Sequence, residues 1–134
     1  MLEPTLAGLR RVFQTAGEVF LLPGSGRTAL EAGAGSVIEP GDRVIVVVAG
    51  VFGVLMREIM ARAGAEVTEV TVEWGRPLDL AKLQAEAERV RPKAIHLVHN
   101  ETSTGTTYPA AAVGQLARSV DALFLLDTVS AIAG

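Results

Sequence analysis

Arg43-Val44-Ile45-Val46-Val47-Val48 decides the fold. From Val44 to Val48 every residue is apolar, and all are β-branched. Such a run is too short for a typical buried helix and has the composition of a strand. Pro40-Gly41 precedes it and Gly50 follows, so turn signals bound it on both sides. A strand facing water on one side alternates apolar and polar residues. One that is apolar throughout has both faces covered, which is the situation in parallel sheets flanked by helices. Leu123-Phe124-Leu125-Leu126 repeats the pattern near the other end of the chain.

Between and around these runs the composition alternates. Leu2, Leu6, Leu9, Val12 and Phe13 fall at helical spacing. Glu18 to Leu22 reads as a short strand, Arg27 to Val37 as a helix, and Glu39 to Asp42 as a turn. Gly50 to Gly53 turns the chain into a helix ending near Ala63, with Gly64 as its C-terminal cap. Val67 to Val72 alternates as a strand, and Asp79 caps a helix running to about Val90. Ala94 to Val98 is a further strand, and Asn100 to Thr107 a polar loop. Pro109 opens a helix that reaches Ser119, and Ala122 to Leu126 is the last strand. Strands alternating with helices predict an α/β, three-layer α/β/α arrangement around a mostly parallel sheet.

Composition narrows the function. The chain has 134 residues, 49% of them hydrophobic, with mean hydropathy +0.37. That suits one domain, or part of one, with elements buried on both faces. The formal charge is -3 and no basic run occurs. Nucleic acid is an unsuitable partner, because phosphate backbones are bound by clustered Lys and Arg. With no cysteine, disulfides and thiolate metal sites are excluded, and no metal-ligand pattern surrounds His96 or His99. The uncharged stretch Val44 to Met56 is short of the roughly 20 apolar residues of a membrane span. No secretory leader is visible, and a cytoplasmic setting is expected.

Ligands of parallel α/β sheets bind beyond the carboxyl ends of the strands. Four segments leave such ends. Gly24-Ser25-Gly26 opens a helix, where free N–H groups can hold an anion and glycines allow close approach; an ordinary glycine turn with a serine cap reads the same. Phe52 follows a strand and is either a stacking aromatic or a core side chain. His99-Asn100-Glu101-Thr102-Ser103-Thr104-Gly105 is a polar loop after a buried strand, suited to a ligand or to solvent; His99 is a candidate contact, whereas His96 reads as a packed core residue. Asp127 comes after four apolar residues. A carboxylate there needs a partner, either a ligand cation such as a protonated pyridine nitrogen or the start of the next element.

In order and spacing these segments resemble the motifs of class V aminotransferases, which are fold type I pyridoxal-phosphate enzymes. The resemblance rests on Pro23 to Ala32, Gly50-Val51-Phe52-Gly53, His99 to Gly105 and Asp127-Thr128-Val129-Ser130. It is closest to the alanine–glyoxylate and serine–glyoxylate (serine–pyruvate) branch. It implies the cofactor pyridoxal 5'-phosphate and a set of roles. Ser25, Gly26 and Arg27 match the phosphate cup, although Arg27 stands where histidine or threonine is common. Phe52 matches the aromatic stacked on the pyridine ring, Thr102 the hydroxyl near the ring oxygen, Asp127 the carboxylate paired with the ring nitrogen, and Val129 the residue packed on the opposite ring face.

The resemblance further implies a homodimer acting on a small amino acid and a 2-oxo acid. It also implies that residues 1–134 are part of the large, cofactor-binding domain. The lysine that forms an imine with the cofactor is expected about 25 residues past Asp127, beyond Gly134. The preceding N-terminal segment and the C-terminal small domain are likewise expected outside this stretch. The lysines present, Lys82 and Lys93, are not at the matching position, so these residues alone are not expected to catalyse transamination. A cysteine desulfurase is the nearest alternative, against which Ser103-Thr104 argues, because that loop usually lacks them. A non-catalytic relative and a nucleotide-binding module, the latter resting on the glycine turn alone, are the others.

Overall fold

The computed structural model describes residues 2–132; the chain end at Ala133-Gly134 lies outside them. The sheet that carries the site has four strands: β1 (Arg43–Val48), β2 (Glu66–Thr71), β3 (Ala94–Val98) and β6 (Leu123–Asp127), in the order β2-β1-β3-β6. All three pairings are parallel, with Val44 opposite Val67 and Ala94, and Val98 opposite Asp127. Two residues each from β4 (Asn100–Glu101) and β5 (Thr106–Thr107) form a separate antiparallel ribbon.

The alternation of side chains along each strand sorts the core into two. Ile45, Val47, Ile95 and Leu97 face α4 (Leu80–Val90) and α5 (Ala110–Ser119), packing on Leu83, Ala87, Val113 and Ala117. Val44, Val46, Val48 and Ala94 face the other way, onto Ala34 of α2 (Gly26–Val37) and Met56, Ile59 and Met60 of α3 (Val51–Arg62). Both faces of β1 are therefore buried, as its unbroken apolar run requires. The result is the expected three-layer α/β/α arrangement.

Local signals explain where the helices start and stop. Asp79 accepts the Lys82 N–H at 3.0 Å and caps α4. Arg91, in the left-handed region at φ 49°, ends that helix before Pro92. Gly64, at φ 87°, follows the last turn of α3 as expected.

Three expectations are corrected. Glu18 to Leu22 is not a strand: it has no ladder partner among the described residues, and Phe20, Leu21 and Leu22 are exposed. Apolar composition gives a segment strand preference, but backbone groups still need a neighbouring strand. The helix before it, α1 (Leu2–Val12), likewise buries none of its residues. Gly50 to Gly53 is not a turn followed by a helix; α3 begins at Val51, directly off β1. The polar loop at 100–107 contains the β4–β5 ribbon. The last two differences share a cause, described below.

The chain runs from β1 sideways to β2, then crosses back over β1 to β3. Strand order reverses between β1 and β3, and at such a switch point the outgoing segments diverge and leave a crevice. The segments that leave there are the first turn of α3 and the β4–β5 ribbon.

Candidate active site

A cavity of 260 Å³ opens at this crevice, close to the lower limit of about 300 Å³ usual for small-molecule sites. Ser25, Gly26, Arg27, Phe52, Thr102, Asp127 and Val129 all line it, together with Leu30, Leu55, Val98, Asn100 and Ser130. The fold thus brings all seven residues singled out in the sequence to one place. His99 is not among the lining residues. Its backbone does the work instead, donating to the Asp127 carbonyl at 2.9 Å and accepting from the Tyr108 N–H at 2.8 Å.

One wall is the start of α2. Ser25 is the cap residue, extended at φ -84° and ψ 172°, but its hydroxyl makes no capping bond. Its carbonyl accepts the Thr28 N–H at 2.9 Å, whereas the N–H groups of Gly26 and Arg27 meet no acceptor among the described residues. Free N–H groups at the positive end of a helix dipole suit an anion. The Arg27 guanidinium is turned along the helix to Glu31, with Nε and Oε1 3.1 Å apart, in a half-exposed pair. A Cβ at Gly26 would come within 2.9 Å of Val129 Cγ2, so glycine keeps this wall close to the turn after β6.

The opposite wall depends on Glu101, which the sequence reading does not single out. Its carboxylate is fully buried, without a cationic partner among the described residues. It accepts the N–H groups of Phe52 at 3.4 Å, Gly53 at 3.2 Å and Ser103 at 3.3 Å, and the Ser103 hydroxyl at 2.6 Å. Ser103 Oγ in turn accepts the Val51 N–H at 3.0 Å. These acceptors satisfy the first N–H groups of α3, which is why the helix begins directly after β1, and they hold the turn that follows β4 against it. They fix the first helical turn, and with it the half-exposed ring of Phe52. A Cβ at Gly50 would collide with the Glu101 side chain and with Ser103 Oγ, so glycine is required there.

Alternate residues of the ribbon face the other way. Asn100 Nδ2 donates to the Ser130 carbonyl at 3.2 Å, and Ser130 Oγ donates to the Asn100 carbonyl at 2.8 Å. Ser130 has one hydroxyl proton, so in its 2.9 Å contact with Thr102 Oγ1 the threonine is the donor. Thr102 Oγ1 therefore keeps acceptor lone pairs for the cavity. This segment is a clamp: Glu101 and Ser103 hold α3, while Asn100 and Thr102 hold the turn after β6.

Asp127 is the last residue of β6 and is 6% exposed. Its Oδ1 accepts the Val129 N–H at 2.9 Å, while Oδ2 has no protein partner among the described residues. A nearly buried carboxylate with one oxygen unsatisfied calls for a cationic or N–H donor from a ligand. Neither lysine lines the cavity. Lys82 is on α4, and Lys93 pairs with Asp42 at 2.6 Å.

The class V aminotransferase family model matches residues 3–134. The chain belongs to this family. The (S)-ureidoglycine–glyoxylate transaminase of Bacillus subtilis is 40% identical over the whole chain. The crystal structure of the Bacillus subtilis ureidoglycine–glyoxylate aminotransferase superimposes with a TM-score of 0.94 at 41% identity, covering 98% of this chain. That of the Nostoc alanine–glyoxylate aminotransferase does so with a TM-score of 0.93 at 38% identity, again over 98%. The chain spans about a third of the length of these relatives: 32%, 34% and 35%. Their names favour the aminotransferase reading over the desulfurase alternative. The family implies pyridoxal phosphate as cofactor, and the cavity fits that group: free helix-start N–H groups for an anion, an aromatic wall, and an unsatisfied carboxylate. Among the described residues, no helix is long and apolar enough to cross a membrane, and no cluster of three or more His, Cys, Asp or Glu could hold a metal.

Proposed function

We propose that this chain is part of the cofactor-binding large domain of an aminotransferase, and that the cavity at the switch point receives pyridoxal phosphate. The whole protein would move an amino group from a small amino acid, alanine or serine, to a 2-oxo acid such as glyoxylate or pyruvate. Glyoxylate is the component common to the names of the relatives above, which supports it as acceptor. Their names differ in the donor, and ureidoglycine joins alanine and serine as a candidate. In keeping with the family resemblance we further propose a homodimer, and, in keeping with the cysteine-free composition, a cytoplasmic setting. The exposed Phe13, Phe20, Leu21 and Leu22 offer apolar surface of the kind a further protein element covers.

The observation that carries the reading is the free Asp127 oxygen in a cavity that also contains an uncapped helix start. When bound, the cofactor supplies an electron sink whose strength depends on a protonated ring nitrogen. Asp127 Oδ2 would hold that proton in place, since a carboxylate favours the charged form of a neighbouring base. The Gly26 and Arg27 N–H groups and the Ser25 hydroxyl would bind the phosphate. Phe52 and Val129 would close on the ring, fixing its plane, and Thr102 would accept a hydrogen bond from the ring hydroxyl.

Titration of the 134-residue chain with pyridoxal phosphate, followed by visible absorbance, tests this. Saturable binding is expected, weakened about tenfold by Asp127→Ala, the loss of one charge-assisted hydrogen bond. Absence of saturation, or an unchanged affinity in the variant, overturns the assignment. Because neither lysine lines the cavity, this stretch alone should bind without turning over alanine and glyoxylate.

A further inference from the structure

His96 is left without a role by the arrangement above. It lies mid-strand in β3, 1% exposed, and neither ring nitrogen meets a protein donor or acceptor among the described residues. Buried polar atoms are almost always satisfied, so two on one ring require an explanation. His96 lines a second cavity of 210 Å³, between α2 and the β3–β6 pair, whose walls include Ala29, Leu30, Gly33 and Met56. Asp127 is the other ionisable residue lining that cavity, and it also lines the cofactor cavity.

Register explains the juxtaposition. His96 pairs with Leu125, and Val98 with Asp127. Asp127 is therefore two residues further along the neighbouring strand, on the same face of the sheet as His96. Diagonal neighbours in a sheet lie roughly 7–8 Å apart, too far for a direct bond between short side chains but well placed for one through water. The cavity has room for water, and the imidazole nitrogens and Asp127 Oδ2 supply the two or more polar partners a buried water needs.

We propose that His96 is a positioning residue for Asp127, tied to its carboxylate through ordered water in the cavity behind β6. The inference rests on the cofactor reading for its purpose but not for its geometry. Val129 N–H fixes only Oδ1. A carboxylate oxygen has two lone-pair sites, so Oδ2 can accept from the water on one side and face the cofactor cavity on the other. Burial lowers the His96 pKa to about 3, so the imidazole is neutral and has one N–H to donate and one nitrogen to accept. Such a tie would set the rotation of the carboxylate without adding a charge beside it.

Two measurements on the 134-residue chain decide this. The first is nitrogen NMR of the His96 ring without cofactor. One neutral tautomer is expected in the native chain, and Asp127→Asn is expected to shift its ring-nitrogen signals; unchanged signals overturn the proposal. The second is pyridoxal phosphate affinity. His96→Phe is expected to weaken it about fivefold, the value of one water-mediated hydrogen bond, and His96→Gln to restore most of the loss. Equal affinities in native chain and His96→Phe overturn the proposal. If the native chain takes up no cofactor, the reading of the first cavity fails, and the ring-nitrogen shift alone decides the His96–Asp127 link. A protein group, rather than water, bonded to the ring in a crystal structure also overturns it.

Discussion

Glu101 accepts the backbone N–H of Gly53 at 3.2 Å across 48 residues of sequence. The contact joins the segment leaving β3 to the helix leaving β1, the two segments that diverge at the switch point. A buried carboxylate without a cation is costly unless hydrogen bonds compensate it. Three N–H groups and a hydroxyl do so here.

Glu101→Ala should therefore destabilise the chain by about 2–4 kcal/mol, because it leaves several buried donors without an acceptor. Glu101→Gln keeps one acceptor oxygen but points an amide N–H₂ toward donors, and should cost about half as much. Urea unfolding of the two variants measures both. Wild-type stability in Glu101→Ala would show that the carboxylate contributes little to holding α3.

His96 makes the stability depend on pH. Its folded pKa is about 3 against 6.5 for a free side chain, because burial penalises the charged ring. Between these values the unfolded chain binds a proton that the folded chain refuses. Stability must therefore fall as pH drops from about 6.5 toward 3, by up to about 1.4 kcal/mol per unit, and is insensitive to this group above 6.5. His96→Phe removes the contribution. The difference between the two urea midpoints, followed from pH 7 to pH 4, should widen in favour of the variant. Parallel profiles would contradict the burial of the ring.

Much of this was legible beforehand, for reasons that differ by element. The runs at Val44 to Val48 and Leu123 to Leu126 betray a parallel sheet because burial on both faces removes every polar position. Phe52, Thr102 and Asp127 stand out because each lies at or just past a strand end, where topology brings loops together, whereas Ser25 stands out only as the glycine-flanked start of a helix, the strand expected before it being absent. Glu101 does not, since nothing local separates a buried carboxylate from a solvated one: its partners are N–H groups on α3. Glu18 to Leu22 misled for a related reason. A strand is a property of two segments, and the sequence shows only one.

Arg27 invites the assumption that its charge binds phosphate. Its guanidinium is instead engaged with Glu31 in a half-exposed pair, which is worth at most about 0.5 kcal/mol to stability. If the free N–H groups of Gly26 and Arg27 hold the phosphate, Arg27→Ala should change pyridoxal phosphate affinity less than about threefold. Glu31→Ala should strengthen binding slightly by releasing the guanidinium. A loss of tenfold or more in Arg27→Ala would show that the side chain leaves Glu31 for the ligand.

Phe52 separates a stacking role from a packing one. Phe52 is 37% exposed and lines the cavity, so it is only partly covered by the rest of the chain. Phe52→Ala should thus cost the empty chain about 1–2 kcal/mol, below the roughly 3–5 kcal/mol of a fully buried phenylalanine. It should also weaken cofactor binding, because an aromatic face against a planar ring contributes about 1 kcal/mol beyond simple burial, or roughly fivefold in affinity. Phe52→Leu preserves apolar area without a π-face and should recover only part of the loss, whereas Phe52→Trp should recover all of it. Urea unfolding and pyridoxal phosphate titration on the same three variants give the two scales. If unfolding free energy drops as far as for a core residue while affinity is unchanged, Phe52 is a packing residue and the stacking assignment is wrong.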